Sequence, residues 1–110
     1  MTAYNIVRMR VKPGFEDALI AHHGSMLESA GEEFKAAGMH RFSLVKTGDR
    51  DFYFLGEWDG FDSIVKARPA MIRSLDGMRS MLEDLGGDLG VTDPASGEAA
   101  AEYDVRSAVH

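Results

Sequence analysis

The sequence predicts an α+β domain: a four-stranded antiparallel sheet with two helices, in the order β-α-β-β-α-β. Three observations lead there. Residues 4–11 (YNIVRMRV) and 52–58 (FYFLGEW) have the apolar, β-branched and aromatic make-up of strands. Residues 15–37 and 61–85 repeat apolar side chains every three or four positions, the helical period. Gly48-Asp49-Arg50-Asp51 joins two strand-like runs so tightly that they pair as a hairpin. This order is the ferredoxin-like pattern.

The elements follow in turn. The first strand sets Asn5, Val7, Met9 and Val11 on one face and Tyr4, Ile6, Arg8 and Arg10 on the other. Lys12-Pro13-Gly14 ends it, since proline offers no N–H and glycine permits the turn. The first helix carries the stripe Phe15, Ala18, Leu19, His22, Met26, Ala30, Phe34 and Ala37. Gly24 and Gly31 each weaken it by about 1 kcal/mol relative to alanine, and Ser25-Met26-Leu27-Glu28 has capping-box form. The expectation is one helix kinked near Gly24, or two short ones, with Gly38 as the stop. Residues 39–47 form the second strand and 52–58 the third, after which Asp59-Gly60 turns the chain into the second helix.

The stripe of that helix is Phe61, Ile64, Val65, Met71, Ile72, Leu75, Met78, Leu82 and Leu85. Pro69 is expected to divide it, a short helix ending near Arg68 and a longer one starting at the proline. Gly86-Gly87 ends it. A polar loop through Gly97 follows, a connector by default and otherwise a lid or dimer arm, and residues 98–105 (EAAAEYDV) are the last strand. The tail from Arg106 frays. The reading is a single domain, 1–110, with its core at about 4–105.

Right-handed crossovers put strands one and three in the centre and two and four at the edges. Strand three is apolar on both faces: Phe52, Phe54 and Trp58 on one, Tyr53 and Leu55 on the other. Both helices lie on one side of such a sheet. The other side would leave an aromatic-aliphatic patch in water, so a homodimer with facing sheets is expected. Arg8 and Arg10 face that side, with carboxylates such as Glu57 as their expected partners.

Composition narrows the function. The chain has 110 residues, 45% of them apolar and 27% charged, with a net charge of −6. It has no block of basic residues, so neither nucleic acid nor an anionic membrane surface is an expected partner. It has no cysteine, which excludes disulfides, thiolate nucleophiles and zinc-thiolate sites. The N-terminus shows no apolar signal core, and no apolar run approaches the ~20 residues of a membrane span, so the expected location is the cytoplasm.

Val11-Lys12-Pro13-Gly14, then Leu55-Gly56-Glu57-Trp58-Asp59 with Phe61 opening the next helix, carry a family resemblance over about residues 4–85. In these the chain resembles the antibiotic-biosynthesis-monooxygenase-like proteins of the dimeric α/β barrel group. The resemblance implies a homodimer with a small apolar cavity between each sheet and its own helices. It also implies a range of activities, among them cofactor-free oxygenation of polyphenols, haem degradation, and members with no known reaction. The haem-degrading branch pairs a first-strand asparagine with a tryptophan and a histidine on the second helix. The matching positions here fall near Val7, Lys66 and Met78, and the second helix has no histidine, so haem degradation is not expected.

Three residues stand out as candidates for chemistry. His22 sits on the apolar stripe of the first helix, where a base near neutrality would line the cavity. Asn5 faces the helices and can polarise a carbonyl or stabilise an oxyanion. Trp58 either stacks on an aromatic ligand or closes the core. His23, a position further round, is read as solvated, and His40 and His110 as carrying no role. No metal site and no cofactor is expected: adjacent helical histidines do not share an ion well, and no phosphate-binding loop opens a helix. The functional expectation is a cofactor-independent monooxygenase acting on a small aromatic or polyketide-like compound. Its rival is a non-catalytic, ligand-binding or stress-associated homodimer, and a weaker third option is an isomerase or lactone-handling enzyme.

Overall fold

The computed structural model describes residues 1–107, and His110 lies outside them. Its elements are β1 (Ala3–Arg10), α1 (Glu16–Ala37), β2 (Met39–Lys46), β3 (Asp51–Trp58), α2 (Phe61–Asp76) and β4 (Asp93–Glu98). Short 3-10 turns occupy Arg79–Met81 and Val105–Ser107. The strands form one antiparallel sheet in the order β2-β3-β1-β4, which is the ferredoxin-like arrangement.

Residue parity decides the two faces. In the β1–β3 pair, Ala3 lies opposite Trp58, Asn5 opposite Gly56, Val7 opposite Phe54 and Met9 opposite Phe52. These positions face the helices, and all but half-buried Val7 are buried. Leu19, Met26, Ala30 and Phe34 of α1 and Ile64, Ala67 and Ala70 of α2 complete the core above them. The opposite face carries Tyr4, Ile6, Tyr53, Leu55 and Val45, with Ile6 38% and Val45 42% exposed. The expected two-sided apolar sheet is present.

Four details differ from the sequence reading. First, α1 is one helix, as the first of the two expected forms has it, but its capping-box sequence does not cap. Ser25 donates to the His22 carbonyl at 2.7 Å inside the helix and caps nothing. Gly38 does stop it, at φ 110°, and its N–H reaches the Phe34 and Lys35 carbonyls.

Second, α2 runs unbroken through Pro69 and ends at Asp76, well short of Leu85. The carbonyl that the proline leaves without a partner belongs to Val65, one turn back. Both residues are exposed, so water can satisfy that carbonyl.

Third, the last strand is residues 93–98, all but Glu98 within the stretch read as a loop, and 99–104 is irregular. Asp93-Pro94-Ala95-Ser96-Gly97-Glu98 has little strand propensity, but as an edge it pairs only with β1.

Fourth, the open-face arginines choose other carboxylates. Arg8 meets Asp93 at 3.6 Å, Arg10 meets Asp51 at 2.9 Å, and Glu57 is taken by Arg41 at 3.2 Å. These pairs surround the apolar centre of that face.

Candidate functional site

A cavity of about 440 Å³ lies between the sheet and its helices, opening between α2 and β4. Met26, Met71, Met78, Phe54, Ile64 and Leu75 supply much of its wall. The polar groups that reach it are few: Asn5, His23, Arg68, Thr92 and Ser96.

Asn5 and Trp58, separated by 53 residues in the chain, meet here. The indole Nε1 of Trp58 donates to Asn5 Oδ1 at 2.6 Å, in a site where Trp58 is 0% and Asn5 4% exposed. Because an indole N–H can only donate, this bond fixes which way the amide points. The amide NH₂ is therefore the group left over. Its partner is the thioether of Met71 at 3.6 Å, a weak acceptor that an oxygen of a ligand would readily replace.

Gly56 makes the Asn5–Trp58 bond sterically possible. It lies directly across from Asn5 in the register and two residues before Trp58, so the hydrogen bond passes over it. A Cβ at this position would overlap Asn5 Oδ1 and sit 2.8 Å from Trp58 Nε1. The expected core role of Trp58 is also present, with Phe34 edge-on at 6.1 Å between ring centroids.

The histidines exchange the places expected of them. His22 is only half-buried and does not line the cavity; its Nε2 donates to the Ser74 carbonyl at 2.8 Å, over Gly77. It joins α1 to the end of α2. His23 is 3% exposed and lines the cavity. The physical reason is helix phase: His23 lies seven and eleven residues before buried Ala30 and Phe34, close to whole turns, whereas His22 lies eight and twelve before them.

His23 Nδ1 is 2.9 Å from the Leu19 carbonyl, which can only accept, so Nδ1 carries the proton. Nε2 is buried with no hydrogen-bond partner among the described residues. Burial lowers the pKa of His23 from the usual 6.5, only partly offset by the bond to Leu19, and the nearby His22 lowers it further. The ring is thus a neutral imidazole whose Nε2 lone pair is free.

The sign of the resulting pH effect follows directly. The unfolded chain protonates His23 near 6.5 and the folded one only at lower pH. Stability contributed by the neutral ring is complete above about 6.5 and is lost as pH falls towards the lowered native value. Urea midpoints are therefore expected to drop between pH 7.5 and 5, and the drop is expected to shrink in His23→Leu. An unchanged pH slope in that variant would contradict the assignment.

On the far side of His23 a second concavity of about 430 Å³ runs between α1 and β2, walled by Leu27, Phe34, Phe42 and Leu44. Its charged residue, Arg41, is already paired with Glu57. The exposed His40 pairs with Asp59 at 2.5 Å, away from both cavities. No group of three or more metal-ligating side chains occurs among the described residues, and no helix among them is long and apolar enough to cross a membrane.

No protein-family model matches the sequence, and no curated protein matches it. Solved structures do. An antibiotic biosynthesis monooxygenase superposes with a TM-score of 0.64 at 14% identity, over 90% of this chain and 99% of its own. SnoaB, a cofactor-independent oxygenase from Streptomyces nogalater, solved as a point variant, gives 0.62 at 14% identity over 92% and 95%. A dimeric ferredoxin-like protein from an uncultured marine organism gives 0.67 at 14% identity over 94% and 91%. The chain has the antibiotic-biosynthesis-monooxygenase-like fold. At such identities the likeness is one of fold, and the monooxygenase-like fold also occurs in a Nitrosomonas europaea protein described as of unknown function.

Proposed function

We propose that this chain is a cofactor-independent monooxygenase acting on a small aromatic or polyketide-like compound, working as a homodimer through its open sheet face. The observation that carries the reading is the Asn5 amide, oriented by Trp58, with its NH₂ on nothing stronger than a thioether inside an apolar cavity. A volume of about 440 Å³ falls within the ordinary range for small-molecule sites. The likeness in fold to a cofactor-independent oxygenase supports the reading without assigning it.

The chemistry asks little of the protein. A base removes a proton from an activated methylene or phenol, and the resulting anion passes an electron to oxygen. The radicals combine in a C–O bond to give a peroxide. Loss of water from the hydroperoxide then leaves a carbonyl, so that R₂CH₂ + O₂ gives R₂C=O + H₂O. The substrate supplies the electrons. Asn5 would hold the developing anion by its NH₂, the kind of preorganised donor that contributes most to such steps. Trp58 is a positioning residue. The base role expected of His22 passes to its neighbour His23, whose Nε2 lone pair is free. That nitrogen is covered in the free protein, and Met26, Met71 and Met78 are the flexible side chains that would move to admit a phenolic oxygen.

Oxygen uptake with a panel of anthrones and 1-naphthols, whose reacting carbon carries hydrogen, tests the proposal. Uptake matched by one-for-one formation of the quinone is the expected result. Binding without uptake would leave the rival reading, a ligand-binding homodimer with no reaction. The same proposal places the protein in the cytoplasm, in keeping with a cysteine-free chain.

Dimerisation has its own test. Burying side chains such as Leu55 and Tyr53 is worth roughly 1.5–3 kcal/mol each. Leu55→Glu at the centre of the open face is expected to convert a sedimenting dimer to a monomer, and a wild-type monomer at micromolar concentration would refute the interface.

A further inference from the structure

The chain has eight arginines, and seven of them hold a carboxylate partner: Arg8, Arg10, Arg41, Arg50, Arg73, Arg79 and Arg106. The eighth is Arg68, which makes neither an ion pair nor a side-chain hydrogen bond among the described residues, and it stands in the wall of the α2 cavity. Thr92, just before β4, and Ser96 within it line the same cavity, and neither hydroxyl has a side-chain hydrogen bond among the described residues.

We infer that the compound held in this cavity is an aromatic acid, its ring body among the methionines and its carboxylate at the mouth against Arg68, with Thr92 and Ser96 as further donors. This deepens the proposed function and rests on its choice of cavity. Charge complementarity carries the argument. In a protein of net charge −6 the long-range field repels anions, so an anionic ligand requires a local cation free to meet it. A guanidinium offers two parallel N–H donors to a carboxylate, a geometry that lysine does not reproduce. The two hydroxyls can each donate to the remaining lone pairs. A neutral ligand can accept from the hydroxyls but forms no charge-assisted, two-pronged pair with Arg68. The same carboxylate position leaves the opposite end of the ligand to Asn5, so one molecule can satisfy both polar ends of an otherwise apolar site.

The test uses a matched pair of probes, 2-naphthoate and 2-naphthalenemethanol, that differ in charge and share a ring system. Calorimetry measures their binding, and the fluorescence of Trp58, the chain's single tryptophan, reports occupation of the cavity beside it. Wild-type protein is expected to bind the acid at least tenfold more tightly than the alcohol, with the preference shrinking as salt is raised. Arg68→Gln is expected to equalise the two, chiefly by weakening the acid. Arg68→Lys is expected to restore part of the preference. Arg68 is exposed on a helix that glutamine suits, so folding is not at stake. Equal binding of both probes by the wild type would overturn the inference while leaving the cavity in place. Binding of neither would overturn the inference together with the choice of cavity.

Discussion

Gly56→Ala is expected to lower the unfolding free energy by roughly 3 kcal/mol and to abolish ligand binding in the α2 cavity. The added methyl group has nowhere to go. It would overlap Asn5 Oδ1 and lie 2.8 Å from Trp58 Nε1 and 3.2 Å from the terminal methyl of Met39. Two of the three contacts are the two ends of one buried hydrogen bond, so that bond must open. Losing a buried hydrogen bond costs about 1–3 kcal/mol, and overpacking a core costs about as much again. For a domain of this size that is a fall in melting temperature of roughly 15 °C. Circular-dichroism melts of Gly56→Ala beside Gly97→Ala give the comparison. Gly97 is exposed, with nothing within 4 Å of its added Cβ, so its variant is expected to melt close to wild type. Similar melting of the two variants would show that the Asn5–Trp58 bridge contributes little.

Asn5→Ala is expected to cut the rate of oxygen uptake about a hundredfold at nearly unchanged KM, the usual effect of removing one oriented oxyanion donor. It also orphans the Trp58 N–H in a fully buried site, a separate cost of about 1–3 kcal/mol in stability. The two effects can be separated. Removing both partners of a buried hydrogen bond costs less than removing one. The double variant Asn5→Ala/Trp58→Phe should therefore recover part of the lost stability and none of the lost rate. If stability and rate recovered together, Asn5 would be structural only. Trp58→Phe alone keeps the donor but frees it to turn, and a smaller loss in rate is expected.

Much of this molecule was legible in its residues because strands impose a period of two and helices one of 3.6. Parity alone put Asn5 with Val7 and Met9 beneath the helices, and Phe52, Phe54 and Trp58 beside them. Apolar residues on both faces of β3 pointed to an open sheet face carrying Tyr53 and Leu55. Where the local signal is weak, sequence pattern and structure part. Stepping by three or four along α1 admits either His22 or His23 between Leu19 and Met26, and only the phase of Ala30 and Phe34, seven and eleven residues beyond His23, favours His23. The last strand lies earlier than strand propensity suggests, because an edge needs only one hydrogen-bonding partner and tolerates Pro94. Pro69 did not divide α2 because the carbonyl it leaves bare can face water.

The sequence by itself determined the order of the elements, the two faces of the sheet and the presence of Asn5 and Trp58 on the inner one. Those are short-range properties, set by side-chain alternation and by where glycine and proline let the backbone turn. Only the tertiary structure decided the site. It joined Asn5 to Trp58 over Gly56 across 53 residues of chain, turned His22 to the Ser74 carbonyl, and left Arg68 without a carboxylate in the cavity wall. Pairings of that kind depend on strand register and helix packing, and no local pattern encodes which buried polar group meets which.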